Sequence, residues 1–95
     1  MATIYMNLGT VQTQMGEWRQ AVNSLSKSLQ IREQLGDSHG MAQTRTNLGV
    51  LYAKHGETAK ARALWGQALE VFYFLGSQNE VDIVRKWLKN LPQAD

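Results

Sequence analysis

Laid over itself with an offset of 40, the chain matches at eleven positions. Residues 1–40 and 41–80 share Met1/Met41, Ala2/Ala42, Asn7/Asn47, Leu8/Leu48, Gly9/Gly49, Gly16/Gly56, Glu17/Glu57, Ala21/Ala61, Leu29/Leu69, Leu35/Leu75 and Gly36/Gly76. A fixed period in the range of about 20–50 residues marks a solenoid array. Each unit of such an array touches only its neighbours, so a binding surface can be located from the repeat register.

The 95 residues allow one domain, with a large share of its surface left exposed. A hydrophobic content of 43% argues against disorder. Ten basic and eight acidic residues are dispersed along the chain, and a net charge of +2 makes no nucleic-acid-binding patch. There is no cysteine. That excludes a disulfide framework and thiol chemistry and fits a cytoplasmic protein. No apolar run reaches the length of a membrane span, and the first residues lack a basic-then-apolar signal.

Gly16, Gly36, Gly56 and Gly76 fall 20 apart, each just past a periodic segment, where a left-handed helix cap is wanted. They divide the chain into five helical segments. The first runs from about Ala2 to Met15, with an apolar stripe of Ile4, Leu8, Val11 and Met15 at helical spacing. The second, about Trp18 to Leu35, carries Trp18, Ala21, Val22, Leu25, Leu29 and Leu35. Asp37 and Ser38 are N-cap types for the third, about Ser38 to His55, whose stripe is Leu48, Leu51 and Tyr52. The fourth, about Thr58 to Leu75, ends in the run Val71-Phe72-Tyr73-Phe74-Leu75. That run alone could pass for a strand, but its place in the repeat argues for helix, and Trp65 with Phe72–Phe74 is read as core, though too continuous for one neighbour to bury entirely. Ser77-Gln78-Asn79-Glu80 reads as a capping box opening the fifth helix, with Val81, Val84, Trp87, Leu88 and Leu91 on its stripe and Pro92 ending it. Gly9 and Gly49 lie mid-helix, where glycine costs about 1 kcal/mol against alanine, so their repetition suggests close packing.

These residues resemble the tetratricopeptide-repeat family. Its pattern sets an aromatic, Leu-Gly and Tyr in a first helix, then Ala, a large apolar residue and Ala in a second. Repeat one supplies Tyr5, Leu8-Gly9, Ala21 and Leu25, with Ser28 in the last alanine slot; repeat two supplies Leu48-Gly49, Tyr52, Ala61, Trp65 and Ala68. Gln12 and Arg45 stand where aromatics are expected, the family's terminal proline is absent from both repeats, and the period is 40 rather than about 34. The longer period, with Leu-Gly-Asp-x-x-Gly at 35–40 and Asn-Leu-Gly at 47–49, is similar to a subclass that includes kinesin light chains, spindle-orientation adaptors and bacterial peptide-sensing regulators. The resemblance implies an all-α fold: a right-handed α-solenoid of two helix-turn-helix repeats, residues 1–40 and 41–80, plus a capping helix at about 78–91, in a single domain 1–95.

On a wheel of about 100° per residue, Thr3, Asn7, Thr10 and Gln14 fall in one polar arc about 60° wide that flanks the apolar stripe. Their equivalents in repeat two are Gln43, Asn47, Val50 and Lys54. The resemblance implies that this arc faces a concave groove. An asparagine offers both donors and an acceptor, so it can bridge the backbone of an extended peptide whatever its sequence. Related repeats carry such an asparagine ladder, and Asn7 and Asn47 match it. The alternative is that the two asparagines set repeat geometry. The family's basic clamp for a peptide carboxylate does not fit, since Met6, Thr10 and Thr46 occupy its slots.

His39 and His55 have no metal-like spacing, and His55 is placed to favour the negative end of its helix. There is no phosphate loop, and no nucleophile–base or metal constellation. Arg85, Lys86 and Lys89 read as a solvated basic face. The expected function is therefore a non-catalytic protein-interaction module without cofactor, binding a peptide or protein segment in the groove. The alternative is a self-associating or peptide-sensing segment of a larger signalling or transcription regulator. Residue 1 aligns with residue 41, already inside a helix. The first helix is thus expected to expose an apolar face, either as part of a longer array or in a homo-oligomer; the latter is favoured.

Overall fold

A computed structural model describes residues 1–92; residues 93–95 of the expected domain lie outside the described residues. It contains five helices: α1 (Ala2–Gln14), α2 (Trp18–Leu35), α3 (Ser38–Lys54), α4 (Thr58–Leu75) and α5 (Gln78–Asn90). The four punctuating glycines all adopt positive φ, between 67° and 79°. At the α2 end the Gly36 amide donates to the Glu33 carbonyl and the Asp37 amide to the Arg32 carbonyl, so the left-handed residue lets the chain reverse while the last carbonyls stay bonded. Asp37 then caps α3, accepting from the Gly40 amide at 3.0 Å. Each helix packs on the next in sequence, whereas α1 and α3 barely meet. The result is an all-α helical-repeat solenoid measuring 33 × 31 × 19 Å.

The mid-helix glycines have the same use in both repeats. A β-carbon at Gly9 would lie 2.7 Å from Leu25 Cγ, and one at Gly49 would run into the Trp65 indole. Leu25 and Trp65 are equivalent positions 40 apart. Each lays its bulk across the glycine of the preceding helix, and Trp65 also donates from Nε1 to the Thr46 carbonyl at 3.0 Å. Around them the core forms two clusters. Ala21, Leu25, Leu48 and Leu51 join α2 to α3. Ala42, Trp65, Ala68, Phe72, Val81 and Val84 join α3, α4 and α5.

The stripe Ile4, Leu8, Val11 and Met15 is the apolar face that α1 was expected to expose, and it is exposed; α1 packs on α2 through buried Ala2 and Gly9. Two sequence expectations are corrected. The aromatic run is helical, yet only Phe72 is buried; Tyr73 and Phe74 point outward, and Leu35 at the end of α2 is likewise exposed. The capping box at 77–80 does not form. Ser77 is the N-cap of α5 but makes no side-chain cap bond. The Glu80 carboxylate is drawn elsewhere, to His39 Nε2 at 2.9 Å and Gln43 Nε2 at 3.5 Å.

Candidate peptide-binding groove

Residues of α1, α3 and α5 meet across a pair of adjoining pockets whose floors come from α2 and α4. The first pocket, about 240 Å³, lies among Met6 of α1, Gln43, Thr46 and Asn47 of α3, and Ile83 and Trp87 of α5, over Phe72. The second, about 140 Å³, lies among Thr10, Thr13 and Gln14 of α1 and Asn47, Val50 and Lys54 of α3, over Leu25. Asn47 belongs to both and forms the ridge between them. A third hollow, bounded by Val50, Lys54, Trp65 and Trp87, continues the surface between α3 and α5.

Six of the eight sequence-predicted residues therefore line the two pockets: Thr10, Gln14, Gln43, Asn47, Val50 and Lys54. Thr3 and Asn7 are exposed on the same face of α1. Part of this polar set is already engaged. Thr10 donates to the Met6 carbonyl of its own helix at 3.0 Å, Gln43 contacts Glu80, and Thr3 lies 3.5 Å from the Arg32 guanidinium. Further side-chain bonds tie α1 to α2. Ser24 donates to Gln12 at 2.7 Å, and Ser28 donates to the Ala2 carbonyl at 2.9 Å.

The two ends of the groove differ in charge. Near the first pocket stands Glu80, hydrogen-bonded to His39; near the second stands Lys54, exposed at the end of α3. His55 beyond it is the C-cap residue of α3, and its ring stacks on Trp18 with centroids 4.4 Å apart. Among the described residues no group of three His, Cys, Asp or Glu side chains is placed to hold a metal ion. The Asp37 carboxyl is held below its usual range, first by the Gly40 amide and then by the Arg32 guanidinium at 2.8 Å, against the opposing effect of partial burial. That pair is structural: it fixes the α2–α3 turn and closes over Gly40.

Sequence reading missed the contribution of α5. Carrying the 40-residue register forward once more would have found it. Ile83 is equivalent to Thr3 and Gln43, Trp87 to Asn7 and Asn47, and Leu88 to Leu8 and Leu48. The fifth helix thus has the placement of a third first-helix, and it brings the groove its largest apolar side chain.

Among the described residues no helix is long and apolar enough to cross a membrane. Neither the comparison with curated proteins nor that with solved structures gives a match. The model of the tetratricopeptide repeat matches residues 1–73. With its helix pairs, its glycine-centred packing and that match, the chain belongs to the tetratricopeptide-repeat family.

Proposed function

We propose that the chain is a non-catalytic interaction module that holds an extended peptide segment in the concave groove of α1, α3 and α5. Tetratricopeptide repeats generally mediate protein–protein interaction, and the placement of Asn47 supports the finer reading. It sits at the ridge between two pockets, half-buried, with an amide that can both donate to and accept from a passing backbone. An apolar side chain of the peptide enters between Met6, Ile83 and Trp87, while polar groups meet Thr10, Gln14 and Lys54. We also assign the chain to the long-period subclass, on the 40-residue offset. We divide its domain, residues 1–95, into repeat one at 1–40, repeat two at 41–80 and a capping helix at about 78–91.

The test is selection of binders from a library of extended peptides, followed by titration against Asn47→Ala. Two hydrogen bonds of about 0.5–1.5 kcal/mol each correspond to a loss of affinity of about 5- to 150-fold. The melting temperature should be unchanged. If melting falls and affinity does not, Asn47 sets repeat geometry and the reading fails.

A further inference from the structure

We infer that the partner segment carries a basic and an acidic residue on opposite sides of the apolar side chain that enters the first pocket. The inference rests on the reading of the groove as a peptide site and names the chemistry of its occupant. Among the described residues that line the three pockets, Glu80 is the one acid and Lys54 the one base, and they stand at opposite ends. Between them the lining is apolar or uncharged, with Met6, Phe72 and Trp87 toward Glu80, Asn47 on the ridge, and Thr10 and Gln14 beyond it.

Both charges are open to a ligand. Glu80 is oriented by its neighbours rather than used up by them. His39 Nε2 lies 2.9 Å from Oε1, whereas among the described residues Oε2 has only the 3.5 Å contact from Gln43, so one carboxylate oxygen keeps room for a stronger donor. The Glu80 side chain is 32% exposed and lines the same pocket as half-exposed Ile83, which puts the acid beside the mouth of the apolar hollow. Lys54 is exposed and makes no ion pair among the described residues. Their separation sets a spacing. Gln43, which touches Glu80, and Lys54 are eleven residues apart on α3, a rise of about 16 Å. An extended peptide covers that in about five residues. The apolar pocket opens beside Thr46 and Asn47, about 5 Å along the same axis. The base therefore falls within about two residues of the apolar side chain, and the acid about three beyond it. A peptide with one sign of charge at both places meets a like charge at one of them.

Calorimetric titration of the whole chain with synthetic peptides of about eight residues tests this. Each peptide has one leucine, a charged residue about two positions to one side and another about three to the other, and each is made in both sequence orders so that chain direction is free. In its better order, the form with lysine near and glutamate far should bind about tenfold tighter than the same peptide with glutamate at both places. It should bind about threefold tighter than the form with lysine at both, the smaller factor following from the exposure of Lys54. Glu80→Lys should reverse the first preference, so that glutamate is favoured beside the leucine. Lys54→Glu should reverse the second, with helicity unchanged. A preference that follows the substituted charge separates recognition from a loss of fold. Binding that Asn47→Ala weakens but that ignores peptide charge, or a preference that neither reversal inverts, overturns this inference and leaves the groove reading in place. Binding by none of the peptides overturns both.

Discussion

At the scale of single residues, missing atoms matter as much as present ones. Gly49 leaves the space that Trp65 fills, and Gly9 the space that Leu25 fills. Alanine at Gly49 would gain about 1 kcal/mol of helix propensity and lose about 1–3 kcal/mol to overpacking against a rigid indole whose N–H is already committed. We expect Gly49→Ala to be destabilising in urea and to cost more than Gly9→Ala, where the flexible Leu25 can turn aside. Asp37 has a different signature. Its folded-state pKa lies below the unfolded value, so its stabilisation is complete above the usual carboxylate range and is lost as pH falls through the folded-state value. Asp37→Asn keeps a capping side chain and removes the titration. The melting temperature of the variant should therefore fall less steeply than the parent's below about pH 4. These residues announced themselves in the sequence, because a repeated mid-helix glycine and an aspartate before a helix each have few physical explanations.

At the scale of helices, the same reasoning separates what could be read from what could not. All five helices were legible, since their glycine stops and 3.6-residue periods are local. The outward turn of Ile4, Leu8, Val11 and Met15 could not be read from periodicity, which does not say whether a neighbouring helix is there; the expectation that α1 exposes an apolar face came instead from the repeat register. The capping box failed for a related reason. Ser77 and Glu80 have the right spacing, but Glu80 finds His39 and Gln43 on α3, partners that only folding reveals. It follows that the two helix starts differ. Asp37→Ala should cost about 1 kcal/mol in denaturant titration, as for a lost N-cap, and Ser77→Ala close to nothing. The fifth helix is held chiefly by Val81 and Val84, with Leu88 and Leu91 half-buried against the same cluster. Removing residues 78–95 forfeits on the order of 5 kcal/mol of apolar burial, comparable with the whole stability of a small domain. The truncated chain should lose its cooperative thermal transition.

At the scale of the whole molecule, stability is distributed unevenly along the stack. Both core clusters lie between α2 and α5, and α1 reaches them mainly through Met6. Local opening should therefore be easiest at α1, and hydrogen exchange followed by mass spectrometry should find its amides the least protected, with those of α4 among the slowest. The α1 and α3 lining of the candidate groove was legible because the polar arc of the first helix has its register equivalent in the third. Its α5 wall was missed because reading the last helix as a cap hid its equivalence to α1 and α3. That wall has an optical consequence. Trp87 stands at the mouth of the first pocket, 36% exposed, with its ring centroid 5.4 Å from that of buried Trp65, while Trp18 lies away against His55. A ligand settling over Trp87 replaces water around one indole of a close pair. Intrinsic fluorescence would thus give the candidate groove a label-free indicator of occupancy, with Trp18 as an internal standard that the same event leaves in place.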